Sequence, residues 1–189
     1  MIKVCGPRDP RNNDAINTTS RSKSWSRGLS PFFLGPVRLY GHFVAQNVEN
    51  AWQFSKVYTE HLDEIGEPGT EYWNWATTGW NQKRAVRYPM GKGSIPLYSY
   101  WNGEKLPYVE ARKKIYIPLY AGAVRGTDAY AQLEAAAGQK RNAGEDLWLW
   151  DFDGYDYHKL GLSLDQVVEK SDAKMGHAFV LAMMLEGKV

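Results

Sequence analysis

The order of apolar and polar positions along the chain predicts one helix with an unusual surface. At about 100° per residue, a helix beginning at Val48 carries a single narrow polar stripe, and most of its remaining circumference is apolar or aromatic. The stripe consists of Glu49, Gln53, Lys56 and Glu60. An ordinary surface helix has a broad polar face instead. We therefore predict a largely buried helix with Asn47 as its N-cap, whose stripe faces either a cleft or solvent.

The same patterns predict the other elements. Short apolar runs indicate strands at Ile2–Cys5 and Leu147–Trp150. Helical segments are expected near 107–122, 128–137, 164–170 and 175–185, with Pro118 bending or splitting the first. Gly138 is the expected C-cap of the second segment, and Ser163 and Ser171 are the expected caps of the last two. The aromatic stretch 66–79 is interpreted as loop in its first part, and its tryptophans as cleft walls or packing anchors.

Composition narrows the class of protein. A chain of 189 residues suffices for one compact domain, and a net charge of +2 gives no electrostatic argument for nucleic acid or membranes. The single Cys5 excludes an internal disulfide and favours a reducing, cytoplasmic setting. No apolar run reaches the roughly 18 residues of a membrane span, and the N-terminus lacks the apolar core of a signal peptide. We expect a soluble cytoplasmic protein.

Two carboxylate positions are candidates for chemistry, namely Glu49 and the pair Asp151 and Asp153. Four apolar residues followed by Asp-Phe-Asp-Gly resemble the nucleophile motif of haloacid-dehalogenase phosphatases, but that motif opens a doubly wound domain, for which too little chain remains here. The plainer alternative is a turn whose carboxylates cap neighbouring amides. The four histidines lack metal-ligand spacing, and His177 is expected to be a hydrogen-bonded core residue. No metal site is predicted.

The order of these motifs resembles the NADAR family (NAD- and ADP-ribose-associated proteins). Residues 29–39 are similar to the family's aromatic and extended segments, and Val48–Val57 is similar to its first helix, with Glu49, Gln53 and Lys56 at matching spacing. Asn50 stands where the family has His. Residues 96–101 resemble a second signature, which makes Trp101 the candidate for the family's site tryptophan.

Towards the C-terminus the resemblance continues in two segments. Residues 174–181 are similar to the family's N-x-L-G-x-x-L-M helix, and residues 147–156 stand where its D-x-x-W-G-x-G region belongs. The family's aspartate position is open between Asp146, Asp151 and Asp153.

The resemblance implies a mainly α, NADAR-like fold: a single multihelical catalytic domain with a few short strands over residues 29–189, after a partly loop-like extension over 1–28. It also implies a metal- and cofactor-independent N-glycosidase that hydrolyses a C–N glycosidic bond in an ADP-ribosylated nucleobase or a related phosphorylated ribosyl compound. The substrate is a small nucleotide or a base within single-stranded DNA or RNA. The alternative is a non-catalytic protein that binds ADP-ribose or another nucleotide.

The resemblance also implies roles for individual residues. Glu49 stabilises the cationic sugar or activates water, and Asp151 or Asp153 takes the complementary role. Trp101 stacks on the departing base. The remaining substrate contacts fall to Lys56, Gln53, Asn50, Arg27 and Arg21, of which Lys56 and the two arginines hold phosphates.

Overall fold

The computed structural model describes residues 1–189, apart from the side chains at positions 11 and 12. Helices account for 41% of the residues and strands for 13%, in three small sheets. The expectation of a mainly α fold is therefore wrong, and the fold is mixed α/β. Each of the described strands contains only two to four residues, too few to show a clear alternating pattern of apolar and polar positions.

The chain forms two compact units. The terminal unit comprises residues 1–33 and 120–189, and the central unit comprises residues 34–119. Residues 1–33 thus cluster with the C-terminal part of the chain. The division into an extension over 1–28 and a catalytic domain over 29–189 stays a prediction.

The terminal unit is built on a parallel sheet in the order β1-β8-β2. The strands are β1 (Ile2–Cys5), β2 (Ile16–Asn17) and β8 (Leu147–Trp150), which confirms the two predicted strands. The strands are apolar because their residues are buried in the core, where Val4 and Leu149 are completely enclosed. The unit's helices are α5 (Asp128–Asn142), α6 (Leu164–Glu169) and α7 (His177–Leu185), with 3₁₀ turns at Pro10–Asp14 and Trp25–Leu29.

The helix ends in this unit follow local signals only in part. Ser163 caps α6 in a capping box with Gln166, as predicted. Helix α5 runs past Gly138 to Asn142, so the predicted C-cap is wrong. Helix α7 begins at His177 with Gly176 as its N-cap instead of Ser171, because a carboxylate from the distant Asp151 accepts a hydrogen bond from its first turn.

The central unit contains a short hairpin and an antiparallel three-stranded sheet. The hairpin pairs β3 (Val37–Arg38) with β4 (Val44–Ala45). The sheet has the order β5-β6-β7, with β5 at Lys56–Val57, β6 at Tyr98–Trp101 and β7 at Glu104–Leu106. The helices are α1 (Val48–Gln53), α2 (Thr70–Asn81) and α3 (Tyr108–Ala111), followed by a π turn at Arg112–Tyr116; α4 (Ile117–Val124) continues into the terminal unit.

Helix α1 begins as predicted and ends earlier. Asn47 caps it, accepting a hydrogen bond from the Asn50 amide. The helix stops at Gln53 because the next residues leave to pair with β6, where the Tyr100 amide donates to the Ser55 carbonyl. Glu60 lies in a separate 3₁₀ turn and does not continue the stripe.

Two further stretches follow the prediction in part. Residues 66–69 are loop, as predicted, but the rest of the aromatic stretch belongs to the twelve-residue helix α2, whose Tyr72 and Trp80 are buried and whose Gly79 packs directly against the Phe54 ring. The predicted disturbance at Pro118 takes the form of the π turn that precedes it. A π turn is rare and occurs mostly as a single turn within an α-helix, and Pro118 lacks the amide donor that a regular turn needs.

Candidate functional site

Three of the predicted site residues form one hydrogen-bonded group, the Glu49 chain. Gln53 Nε2 donates to Glu49 Oε1 at 2.9 Å, and Lys56 Nζ donates to Gln53 Oε1 at 2.6 Å. Glu49 and Gln53 stand four residues apart on α1, where side chains meet, and Lys56 reaches them from the start of β5. Glu49 is 6% exposed, whereas Lys56 is only half-buried. The group therefore leads from an enclosed carboxylate to a partly exposed cation.

Aromatic rings surround this chain within the central unit. Lys56 Nζ lies 5.1 Å from the ring centroid of Trp52, in the range of a cation–π contact, and the Tyr116 ring lies 5.2 Å from the same indole. Trp52 and Trp101 pack against one buried apolar cluster, made of Leu106, Ala111 and Ile115. Trp101 is partly exposed, and its ring meets Tyr40 edge-on at 4.9 Å. Trp101, the predicted base-stacking residue, thus packs on the same small core as Trp52, the ring beside Lys56.

Asn50, a predicted substrate contact, uses its side chain for contacts within the protein. Its side chain is completely buried. Its Nδ2 donates to the carbonyls of Gln82 and Arg84 at 2.8 and 3.1 Å, and its Oδ1 accepts from the Val86 amide at 2.8 Å. Both polar atoms are therefore used to hold the loop after α2, which we call the clamped loop (82–86).

The terminal unit contains a second buried carboxylate, Asp151. Its Oδ2 lies 3.1 Å from Nδ1 of His177 and accepts from the Ala178 amide at 3.2 Å. The other ring nitrogen of His177 lies 2.8 Å from the Thr18 carbonyl. Both nitrogens face acceptors, an arrangement that the doubly protonated imidazolium satisfies. Burial alone would raise the pKa of Asp151, but the His177 ring and the amides of Ala178 and Asp153 hold that pKa below its ordinary value.

These contacts test the sequence-based interpretations of His177 and Asp151. The prediction that His177 is a hydrogen-bonded core residue is confirmed, and Asp151 caps a neighbouring amide as the plainer interpretation proposed. Asp151 is 3% exposed and joins β8 to the start of α7, which favours a structural role. Asp153 follows in a turn and is partly exposed. Asp146 lies in an ion pair with Lys3 at 2.6 Å. The complementary catalytic role of Asp151 or Asp153 stays a prediction.

The two predicted phosphate-binding arginines lie exposed on the terminal unit. The guanidinium carbon of Arg21 lies 5.0 Å from the ring centroid of Phe152, and that of Arg27 lies 4.5 Å from the ring of Phe33. Stacking on a ring leaves the N–H donors at the guanidinium edge pointing outward. The predicted site residues thus fall into two groups. The central unit holds Glu49, Asn50, Gln53, Lys56 and Trp101, and the terminal unit holds Arg21, Arg27, Asp151 and Asp153.

Sequence reasoning missed one charged residue near the Glu49 chain. Arg112, in the π turn, is 1% exposed, and its guanidinium carbon lies 4.1 Å from the Tyr108 ring centroid. The Tyr108 ring in turn lies 6.4 Å from Trp52. No local pattern marks a buried arginine, because the surrounding Arg-Lys-Lys run has the composition of an exposed helix face. Only the nearby Pro118 signals an irregular helix there.

Neither a metal centre nor a membrane span is found among the residues that the structure describes. In them, no three or more His, Cys, Asp or Glu side chains are grouped so as to hold a metal ion. Every described helix falls short of the length and apolar character needed to cross a bilayer. The chain matches no protein family model, and no curated protein or solved structure is significantly similar to it.

Proposed function

We propose that the protein is an N-glycosidase that hydrolyses the C–N glycosidic bond of an ADP-ribosylated nucleobase or a related phosphorylated ribosyl compound. The observation that carries the proposal is the Glu49 chain, in which an enclosed carboxylate is connected through Gln53 to a partly exposed lysine. The spacing of these three residues resembles that of the NADAR family. This resemblance is the basis for proposing hydrolysis of a C–N glycosidic bond as the reaction.

The chemistry requires a carboxylate beside the reacting sugar. As the C–N bond breaks, its electron pair leaves with the nitrogen of the base, and the anomeric carbon becomes an oxocarbenium-like cation. In the proposed mechanism Glu49 stabilises this cation and takes a proton from the water whose oxygen bonds to that carbon. The departing nitrogen gains a proton from solvent, and Glu49 returns the proton that it took from water to solvent, so the net reaction consumes one water. Low exposure strengthens the effect, since a carboxylate shielded from solvent acts on a nearby charge through a lower effective dielectric.

The neighbouring side chains supply binding and orientation. Gln53 fixes one oxygen of Glu49 by donating to it, while its own carbonyl oxygen accepts from Lys56. Lys56 offers a positive charge to a phosphate group of the substrate. Trp101 offers a ring face to the base, an interaction that contributes about 1–3 kcal/mol per stacked base.

The decisive variant is Glu49→Gln, which keeps the shape of the side chain and removes its charge. We expect it to fold normally and to lose turnover by roughly 10²–10⁴-fold, the usual contribution of a positioned general base. The assay incubates the protein with ADP-ribosylated nucleosides, ADP-ribosylated oligonucleotides and riboflavin precursors, and detects the released base by mass spectrometry. Glu60→Gln is the matched control, because that carboxylate is exposed and lies outside the chain of hydrogen bonds. Full activity of Glu49→Gln on a substrate that the wild-type protein cleaves would contradict the proposal.

A non-catalytic nucleotide-binding protein is the second candidate, and the role of Asn50 favours it. The family's His is replaced by an amide that is fully occupied in holding the clamped loop, so no imidazole is supplied at this position. This alternative predicts that ADP-ribose binds the wild-type protein and that every ligand of the panel is recovered intact after long incubation. Release of a free base by the wild-type protein would exclude it.

A further inference from the structure

A cleft lies in the central unit, between α2 and the chain that follows it. Its volume is about 420 Å³, within the range of small-molecule sites. Its lining includes Phe54, Glu71, Asn74, Trp75, Thr78 and Gln82. None of the three residues of the Glu49 chain lines it. The cleft is therefore a separate candidate site.

The floor of this cleft is a fixed aromatic ring. Trp75 is partly exposed, and its ring centroid lies 4.6 Å from that of Phe54 and 4.4 Å from that of His61. Phe54 and His61 are themselves buried. Packing on the protein side holds the indole in place, so its remaining surface offers a rigid platform for a flat ligand.

Hydrogen-bonding groups line the edge of the platform. Glu71, Asn74 and Thr78 follow one face of α2, and Gln82 lies just after that helix. Glu71 is the only ionisable side chain of the lining and makes no ion pair with any described residue. A carboxylate accepts two parallel N–H bonds. A base of the guanine type offers two such donors side by side, at its ring N–H and its exocyclic amino group.

The chain that follows α2 adds fixed geometry and positive charge. Gln82 and Val86, which line the cleft, belong to the clamped loop that Asn50 holds by three hydrogen bonds. Between them, Lys83 and Arg84 are exposed and form no ion pair with the described part of the chain. From residue 72 to residue 103 the sequence has four Lys or Arg and no Asp or Glu. Some exposed lysines elsewhere pair with carboxylates, as in Lys105–Glu67 and Lys140–Glu145.

We propose that this cleft binds a purine mononucleotide of the guanine type. The base stacks on Trp75 and donates two hydrogen bonds to the Glu71 carboxylate, and the phosphate lies beside Lys83 and Arg84. The flat ring of such a ligand corresponds to Trp75 and its paired N–H donors to Glu71. Its negative charge corresponds to Lys83 and Arg84, which stand in the loop between the lining residues Gln82 and Val86. The site lies outside the Glu49 chain and does not depend on the proposed N-glycosidase activity.

The test is a calorimetric titration with guanosine 5′-monophosphate, adenosine 5′-monophosphate and inorganic phosphate. We expect the guanine nucleotide to bind best, because adenine presents an acceptor at the ring position where guanine presents a donor. Glu71→Gln should weaken binding of the guanine nucleotide about tenfold, in line with the discrimination given by one bidentate contact, and should leave binding of the adenine nucleotide unchanged. Replacing Lys83 and Arg84 by Gln should weaken binding of the guanine and the adenine nucleotide to the same extent, because both carry the phosphate. Glu64→Gln is the control, since Glu64 is exposed and lies outside the cleft.

These experiments can contradict the nucleotide-binding proposal without bearing on the proposed N-glycosidase activity. Glu71 and Gln82 lie at the surface, so Glu71→Gln and Gln82→Ala test the cleft in a folded protein, even if a change at Trp75 disturbs packing. The proposal is overturned if the wild-type protein does not bind the guanine nucleotide, or if both variants bind it as tightly as the wild type. Glu49→Gln should retain full binding; loss of binding in that variant would place the nucleotide at the Glu49 chain instead.

Discussion

The two buried carboxylates, Glu49 and Asp151, differ in what surrounds them. Asp151 is held by an imidazole that is itself enclosed and by backbone amides of its own fold. Glu49 accepts from a glutamine side chain whose other end meets Lys56, which is partly exposed. Burial alone therefore does not distinguish a carboxylate that acts on a ligand from one that holds the fold together. The partners distinguish the two, since backbone amides and core side chains fix a structure, whereas a hydrogen-bonded path towards the surface is suited to a ligand.

The surroundings of Asp151 support its structural role in a second way. A Cβ atom on Gly176 would lie 2.1 Å from Asp151 Oδ2, so the backbone at the start of α7 approaches the carboxylate as closely as only glycine permits. His177 extends the contact to the Thr18 carbonyl, beside β2. One carboxylate thus joins three segments that are far apart in the sequence.

The largest expected effect on stability tests this difference at Asp151. Asp151→Asn keeps the size of the side chain and removes the charge opposite His177. We expect a loss of about 3–5 kcal/mol in the free energy of unfolding, the usual result of breaking a buried ion pair, measured by urea denaturation. Asp153→Asn is the matched control. Because Asp153 is partly exposed, this variant should lose much less of the free energy of unfolding. If Asp151→Asn instead leaves stability unchanged and removes activity, the roles assigned to Glu49 and Asp151 would have to be exchanged.

A smaller effect is expected at Asn50, the neighbour of Glu49 on α1. Asn50→Asp loses the two hydrogen bonds to the Gln82 and Arg84 carbonyls and places a carboxylate against them. We expect a loss of roughly 2–3 kcal/mol in the free energy of unfolding, from two missing bonds and an unfavourable buried acceptor. Thermal unfolding measures it, with Asn102→Asp as the control in an exposed turn. Unchanged stability would show that the clamped loop is held by other contacts.

The smallest effect is the acid dependence of stability. Because the folded-state pKa of Asp151 lies below its ordinary value, the unfolded chain takes up the proton at a higher pH than the folded chain does. The stabilisation by Asp151 is therefore complete above the ordinary pKa range of aspartate, near pH 4, and is lost as pH falls through the lower folded-state pKa. Urea titrations at decreasing pH should show a steeper loss in the wild-type protein than in Asp151→Asn. Identical slopes in the two proteins would contradict the assigned shift.

Much of the local structure could be predicted because its signals lie within a few residues. Asn47 fixed the start of α1, and Ser163 with Gln166 fixed the start of α6, since a cap needs only its own turn. The strands β1 and β8 are evident from their apolar residues. In the candidate site, the spacing of Glu49, Gln53 and Lys56 placed the three side chains together even though the predicted helix was too long.

The sequence by itself therefore determined where α1 and α6 begin, where the apolar strands β1 and β8 lie, and the spacing of Glu49, Gln53 and Lys56. The tertiary structure decided where α1 stops, what Asn50 binds and whether Asp151 is enclosed, because each depends on a partner at least 26 residues away along the chain. A strand of two residues such as β5 exists only through its pairing with β6. Local propensity cannot encode such partners, and the mixed α/β fold follows from them.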